Sequence, residues 1–208
     1  MQTDLLGIAN RAKRDGKHRF RNLYGMLNEA FLTECWKDIN KNAAVGVDKV
    51  SAEQYGANLT QNICDLIERL KAKRYRAKQV RRHYIPKDGD KLRPLGIPVV
   101  EDKLLQLAAT KILEAIYEQE FLPCSFGYRP GVSAHNAVDS IQAKLQFGKY
   151  TQIVEADIKG YFDNIDHEWL MRMLAERIKD RKLLRLIRKW LKAGILDTSG
   201  QVIDPATG

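Results

Sequence analysis

One short stretch limits the folds open to this chain more than any other. Ile153, Val154, Ala156 and Ile158 form an apolar run, β-branched at three of four places, which suits a buried strand. Gly160 breaks the run. Asp166 then stands where a helix N-cap belongs, ahead of Trp169, Leu170, Met173 and Leu174 at helical spacing. The pattern places one carboxylate, Asp157, at the end of a buried strand and facing a turn. Burying a carboxylate is costly unless something positive offsets it. A divalent cation would do so, as would a lysine, and turn formation is the plainer alternative.

Charge narrows the partners. The 208 residues carry a net +9, with a sequence pI near 9.4, and that excess is concentrated. From Arg69 to Arg93 there are eleven Lys or Arg and two Asp, a surplus of nine that equals the net charge of the whole chain. Within this span Val80 to Tyr84 and Leu92 to Ile97 read as two strands, with Pro86-Lys87-Asp88-Gly89-Asp90-Lys91 as the hairpin turn between them. Positive charge on a hairpin, interleaved with Tyr75, His83 and Tyr84, suits a polyanion whose bases can stack. A merely solvated face is the alternative.

Hydrophobic content of 44% with 29% charged residues is ordinary for a soluble globular domain. No apolar run reaches membrane-spanning length and the N-terminus lacks a signal-peptide pattern. Cys35, Cys64 and Cys124 are scattered, without a Cys-x-x-Cys pair, which favours reduced thiols in a cytoplasmic protein over a zinc site.

The remaining segments read mostly as helices. Residues 1 to about 22 are basic and polar, an expected mobile or nucleic-acid-contacting arm, with a merely solvated tail as the equal alternative. Leu23 to about Lys41 reads as one helix, Ala44 to Asp48 as a turn, and Leu59, Ile63, Leu66, Ile67 and Leu70 as the apolar face of a second helix. Glu101 to Glu120 is a third. Ser125-Phe126-Gly127-Tyr128-Arg129-Pro130-Gly131 is a loop of residues with special backbone angles, and Ser133 caps a helix running to Phe147. A basic helix from Asp180 to Lys192 and a hairpin over Gly194–Leu196 and Gln201–Ile203 follow. The ending Pro205-Ala206-Thr207-Gly208 reads as an interrupted fold.

From about residue 45 onward these segments resemble the N-terminal half of a group II intron-type reverse transcriptase. Lys91-Leu92-Arg93-Pro94-Leu95-Gly96-Ile97-Pro98 with Asp102, Lys103 and Gln106 is similar to the first core block of that family. Ser125 to Pro130 with His135, Ala137 and Val138 is similar to the second, and Asp157 to His167 to the third. The resemblance implies an α+β fold, reverse-transcriptase-like fingers and a partial palm, with helices packed on a small antiparallel sheet. It divides the chain into an arm and helix (1–44), fingers (45–150) and partial palm (151–208).

The same resemblance implies two-Mg²⁺ nucleotidyl transfer. Asp157 would be the catalytic metal-binding acid and the Ile158 carbonyl a second metal ligand. Phe162 would lie under the sugar and exclude a 2′-hydroxyl; a plain core aromatic is the alternative. Lys87 and Arg93 would hold the incoming triphosphate. Arg74, Arg76, Lys78, Arg81, Arg82 and Arg129 would contact RNA. The implied partners are an RNA template, intron RNA, a DNA primer and deoxynucleoside triphosphates, with no membrane and a homodimer left open. The family's Pro-Gln-Gly and Tyr-Ala-Asp-Asp blocks would follow Gly208, so these 208 residues are expected to bind RNA without polymerising. A module that only holds intron RNA is the alternative function, and a role in phage defence or in a CRISPR system a third.

Overall fold

The computed structural model describes residues 4–86 and 92–204. Its centre is a helix, α5 (Val100–Tyr117), on which Leu104, Leu105, Ala108, Ile112 and Ile116 are all fully shielded from solvent. A helix buried around so much of its circumference must be surrounded by others. Three N-terminal helices do much of this: α1 (Leu5–Arg14), α2 (Glu29–Lys37) and α3 (Ala52–Ala57) all pack against it. A fourth, α4 (Leu59–Lys71), packs on α2 and α3.

Of the alternatives for the first 22 residues, mobility is corrected over Leu5–Arg14, which form a packed helix. Asp4 caps α1 by accepting from the Gly7 amide at 2.5 Å, and Ile8 and Ala12 enter the core. The chain then runs back to its far end. The Phe20 amide donates to the Arg177 carbonyl (2.8 Å), and the Lys179 amide to the Phe20 carbonyl (2.7 Å), in a parallel bridge between Phe20 and Ile178. A single helix from Leu23 to Lys41 is also corrected. A 3₁₀ turn (Leu23–Met26) ends at Asn28, whose side chain accepts from the Phe31 amide at 3.0 Å and starts α2 afresh. The apolar spacing carried across that cap, so periodicity alone could not find the break.

β1 (Val80–Pro86) and β2 (Leu92–Ile97) form the expected antiparallel ribbon, in the register Arg81 opposite Ile97, Arg82 opposite Gly96 and Ile85 opposite Arg93. The connecting residues 87–91, including Lys87, lie outside the described residues. β3 (Ile195–Leu196) and β4 (Val202–Ile203) pair antiparallel, as the sequence suggested. The sheet as a whole is not antiparallel: β3 runs parallel to β1, Val80 opposite Ile195, giving a mixed sheet of order β2-β1-β3-β4. A boundary drawn at 150/151 thus falls across one sheet.

Three further helices complete the chain: α6 (Ala134–Phe147), α7 (His167–Arg177) and α8 (Arg181–Leu191). Asp180 caps α8 through the Lys182 and Leu183 amides and also accepts from the Tyr24 amide at 2.8 Å, fixing the helix to the 3₁₀ turn. The expected buried strand over Ile153–Ile158 is absent. Residues 151–158 have no regular structure, and Val154 is 91% exposed. A strand needs neighbouring backbone to satisfy its amides and carbonyls, and no described strand lies beside this run.

Candidate nucleotide and nucleic-acid site

Asp157 leads into a tight turn whose shape follows from two residues. Gly160 has φ +63°, a region that suits glycine, and the Asn164 side chain donates to the Gly160 carbonyl at 2.7 Å. A 3₁₀ turn over Phe162–Asn164 follows, and Asp166 then caps α7 by accepting from the Trp169 amide at 2.8 Å. Asp157 itself is exposed and makes no hydrogen bond or ion pair among the described residues. Among the described residues, no lysine offsets its carboxylate. No group of three His, Cys, Asp or Glu that could hold a metal ion occurs among the described residues. Asp157 fits a single oxygen-ligand position and does not make a metal cage by itself.

Phe162 is not a core aromatic, since it is 62% exposed. Its ring meets two others edge-on: Tyr161 at 5.3 Å between centroids and Tyr128 at 6.2 Å. The second contact joins the turn after Asp157 to the loop between α5 and α6. That loop is held by Arg129, whose guanidinium donates to Glu118 Oε1 (2.9 and 2.6 Å) and to the Ser125 carbonyl (2.7 Å) and lies over the Phe121 ring. Arg129 is thus engaged within its own loop. Tyr128, which the sequence reading passed over, is the residue that reaches the candidate turn. The signal available was a bulky aromatic between Gly127 and Arg129-Pro130, in a loop where small residues would serve.

The pleat of the β1–β2 ribbon sorts its cations. Arg81 and Arg82 point to opposite faces. Arg81 donates through Nε and a terminal nitrogen to the Val45 carbonyl (3.0 and 2.7 Å), which locks it to the 44–48 turn. That turn is itself pressed against the start of α5, where a Cβ on Gly46 would come within 2.6 Å of Val99 Cα. Arg82 shares its face with Tyr84 and has no hydrogen bond or ion pair among the described residues. Arg74, Arg76 and Arg93 are exposed and likewise unengaged among those residues. Lys78 is exposed, with its ammonium 3.0 Å from Asp48. A further set of cations lines an open cleft of about 680 Å³ between α1 and the α7–α8 junction: Arg11, Lys17, Arg19, Arg21 and Lys179.

Tyr75 is corrected as a stacking residue, because it is 1% exposed. Its hydroxyl donates to Asp102 Oδ1 (2.6 Å) and accepts from Trp190 Nε1 (2.9 Å), while Asp102 Oδ2 accepts from the Lys78 amide (2.9 Å). Burial pushes the Asp102 carboxyl above the usual carboxylate range, opposed by the hydrogen bonds from Tyr75 and Lys78. Burial, followed by the Asp102 charge, likewise raises the Tyr75 phenol. This network holds α8, α5 and the approach to β1 together.

Comparison with known proteins places these segments. A model of the family described as reverse transcriptase (RNA-dependent DNA polymerase) matches residues 85–206. The group II intron-encoded protein LtrA of Lactococcus lactis subsp. cremoris is 48% identical over 138 residues, covering 66% of this chain and 23% of that protein. Protein YkfC of Escherichia coli (strain K12) is 36% identical over 155 residues, covering 73% and 41%. Nuclear intron maturase 1, mitochondrial, of Arabidopsis thaliana is 32% identical over 95 residues, covering 46% and 13%. The chain spans less than half the length of each of these relatives.

Proposed function

Because the chain belongs to the reverse transcriptase (RNA-dependent DNA polymerase) family, we propose that it forms the fingers and first palm segment of a group II intron-type enzyme that copies RNA into DNA. The observation that carries this reading is the turn from Asp157 to Asn164, in which an unengaged carboxylate and a solvent-facing aromatic stand five residues apart. Helices packed with a small mixed sheet are consistent with fingers and palm of this family.

In this reading Asp157 supplies one carboxylate ligand to Mg²⁺, which when bound neutralises charge on the reacting phosphate. The Ile158 carbonyl would supply a second oxygen ligand. Phe162 lies against the sugar of the incoming deoxynucleotide. Arg93, with Lys87, holds the triphosphate, where fixed cations stabilise developing negative charge. Arg74, Arg76 and Arg82 hold the backbone of the RNA template, with a DNA primer as the strand extended. A holding role on intron RNA draws on the same cations, and one relative is named an intron maturase.

The electrostatic part is testable on the chain as it stands. Single-stranded RNA binding should weaken with rising salt, and Arg74→Ala, Arg76→Ala and Arg82→Ala together should flatten the log–log slope by about two units. An unchanged slope would remove these three arginines as an RNA-binding surface.

A further inference from the structure

Tyr128 takes a left-handed backbone conformation, φ +55°, that a bulky side chain adopts rarely, and it stands 97% exposed. Glycine would serve the turn better, and the tyrosine adds no packing to its own loop. A strained residue that its surroundings nonetheless hold in place points outward to function. What holds it is next door: Arg129 is tied to Glu118, Ser125 and Phe121, so the loop presents the Tyr128 ring from a fixed base.

That ring meets Phe162 edge-on, with an interplanar angle of 86°. The backbone under Phe162 is set by Gly160 and by the Asn164 bond to its carbonyl, which leaves the rotation of the Phe162 ring to be fixed. Tyr128 and Tyr161 both meet it in a T-shaped arrangement, a favoured geometry for aromatic pairs. Rejecting a 2′-hydroxyl depends on a clash, and a ring free to swing would yield to the extra oxygen.

We propose that Tyr128 is a positioning residue for Phe162, holding its ring in the orientation that rejects ribose, so that sugar selection depends on the α5–α6 loop as well as on the turn after Asp157. This rests on Phe162 facing the sugar, and the experiment separates the two claims. In the full-length polypeptide, primer extension is measured with a deoxynucleotide and its matching ribonucleotide for wild type, Tyr128→Gly, Tyr128→Phe, Phe162→Ala and the Tyr128→Gly/Phe162→Ala double variant. Glycine suits the backbone at this position, so Tyr128→Gly should melt no lower than wild type.

The expected result is an about five- to tenfold rise in the ribonucleotide-to-deoxynucleotide ratio of kcat/KM for Tyr128→Gly. Tyr128→Phe should keep the wild-type ratio, and the double variant should be no more relaxed than Phe162→Ala alone. A wild-type ratio in Tyr128→Gly beside a relaxed Phe162→Ala would overturn the positioning role and leave the Phe162 gate standing. Additive relaxation in the double variant would overturn it too, by showing that Tyr128 acts elsewhere. An unchanged ratio in Phe162→Ala would remove the gate, and the role of Tyr128 with it.

Discussion

The helices around α5 and the segment between α5 and α7 obey different rules. Around α5, apolar side chains from α1, α2, α4 and α8 close on one another, and Leu32, Ile63, Leu104, Leu105 and Leu183 are fully shielded. Between Ile116 and His167 no described residue is buried, although α6 carries Val138, Ile141 and Leu145 at helical spacing and a complete capping box from Ser133 and Asn136. Local signals thus suffice to form a helix or turn, and only partners across the chain can bury it. The candidate reaction groups, Asp157 and Phe162, lie in the unburied segment. The scaffold should tolerate their loss, and their own changes should be read in chemistry instead of stability.

The contrast can be broken or sharpened by substitution. The largest stability effect should come from Leu104→Ala, which opens a cavity in the helical core and should cost about 2–5 kcal/mol in denaturant unfolding. A loss below about 1 kcal/mol would mean that α5 is not the centre of the fold.

Asp102→Asn should cost less, about 1–3 kcal/mol, because an amide nitrogen in place of one carboxyl oxygen cannot accept, so Tyr75 or the Lys78 amide loses its acceptor. Its pH dependence is the sharper readout. The folded state raises the Asp102 pKa, so the native protein holds that proton more tightly than the unfolded chain. Stability from this group is fully present below the unfolded value of about 3.9 and is lost as pH rises through the raised folded value. The wild-type advantage over Asp102→Asn should therefore shrink as pH climbs from about 4. A constant gap would place Asp102 in water.

The ribbon divides on a smaller scale. Arg81→Ala should lower stability by about 1–2 kcal/mol and leave the salt dependence of RNA binding nearly intact, since its guanidinium is held by the Val45 carbonyl. Arg82→Ala should do the reverse, flattening the slope by about 0.7 with little change in stability. Equal slopes for the two variants would contradict the separation of faces. At the small end, Val154→Thr should shift unfolding by no more than about 0.5 kcal/mol, and a core-sized loss would show that residues 151–158 are packed after all.

Much of the local structure was legible. The β1–β2 ribbon, the caps at Ser133 and Asp166 and the final hairpin depend on neighbours in sequence, and the structure has them where the residues indicated. What was misread depends on distant contacts. The basic residues of α1 masked Leu5, Ile8 and Ala12, whose burial is decided by α5. Tyr75 sits among arginines, yet its environment is set by Asp102 and Trp190. The apolar run at Ile153 signalled a strand, but a strand exists only where another backbone meets it. Arg81 and Arg82 looked equivalent until the pleat set them on opposite faces. At the candidate site Asp157 and Phe162 were visible in the motif, whereas Tyr128 became visible only when two loops met.

The most direct test is Asp157→Asn in the full-length polypeptide, with Mg²⁺-dependent primer extension and RNA affinity measured on the same preparation. An exposed carboxylate outside the core and off the ribbon should lose at least about 100-fold in extension rate, with RNA affinity and melting temperature close to wild type. Extension at the wild-type rate would contradict the assignment of the reacting centre to this turn.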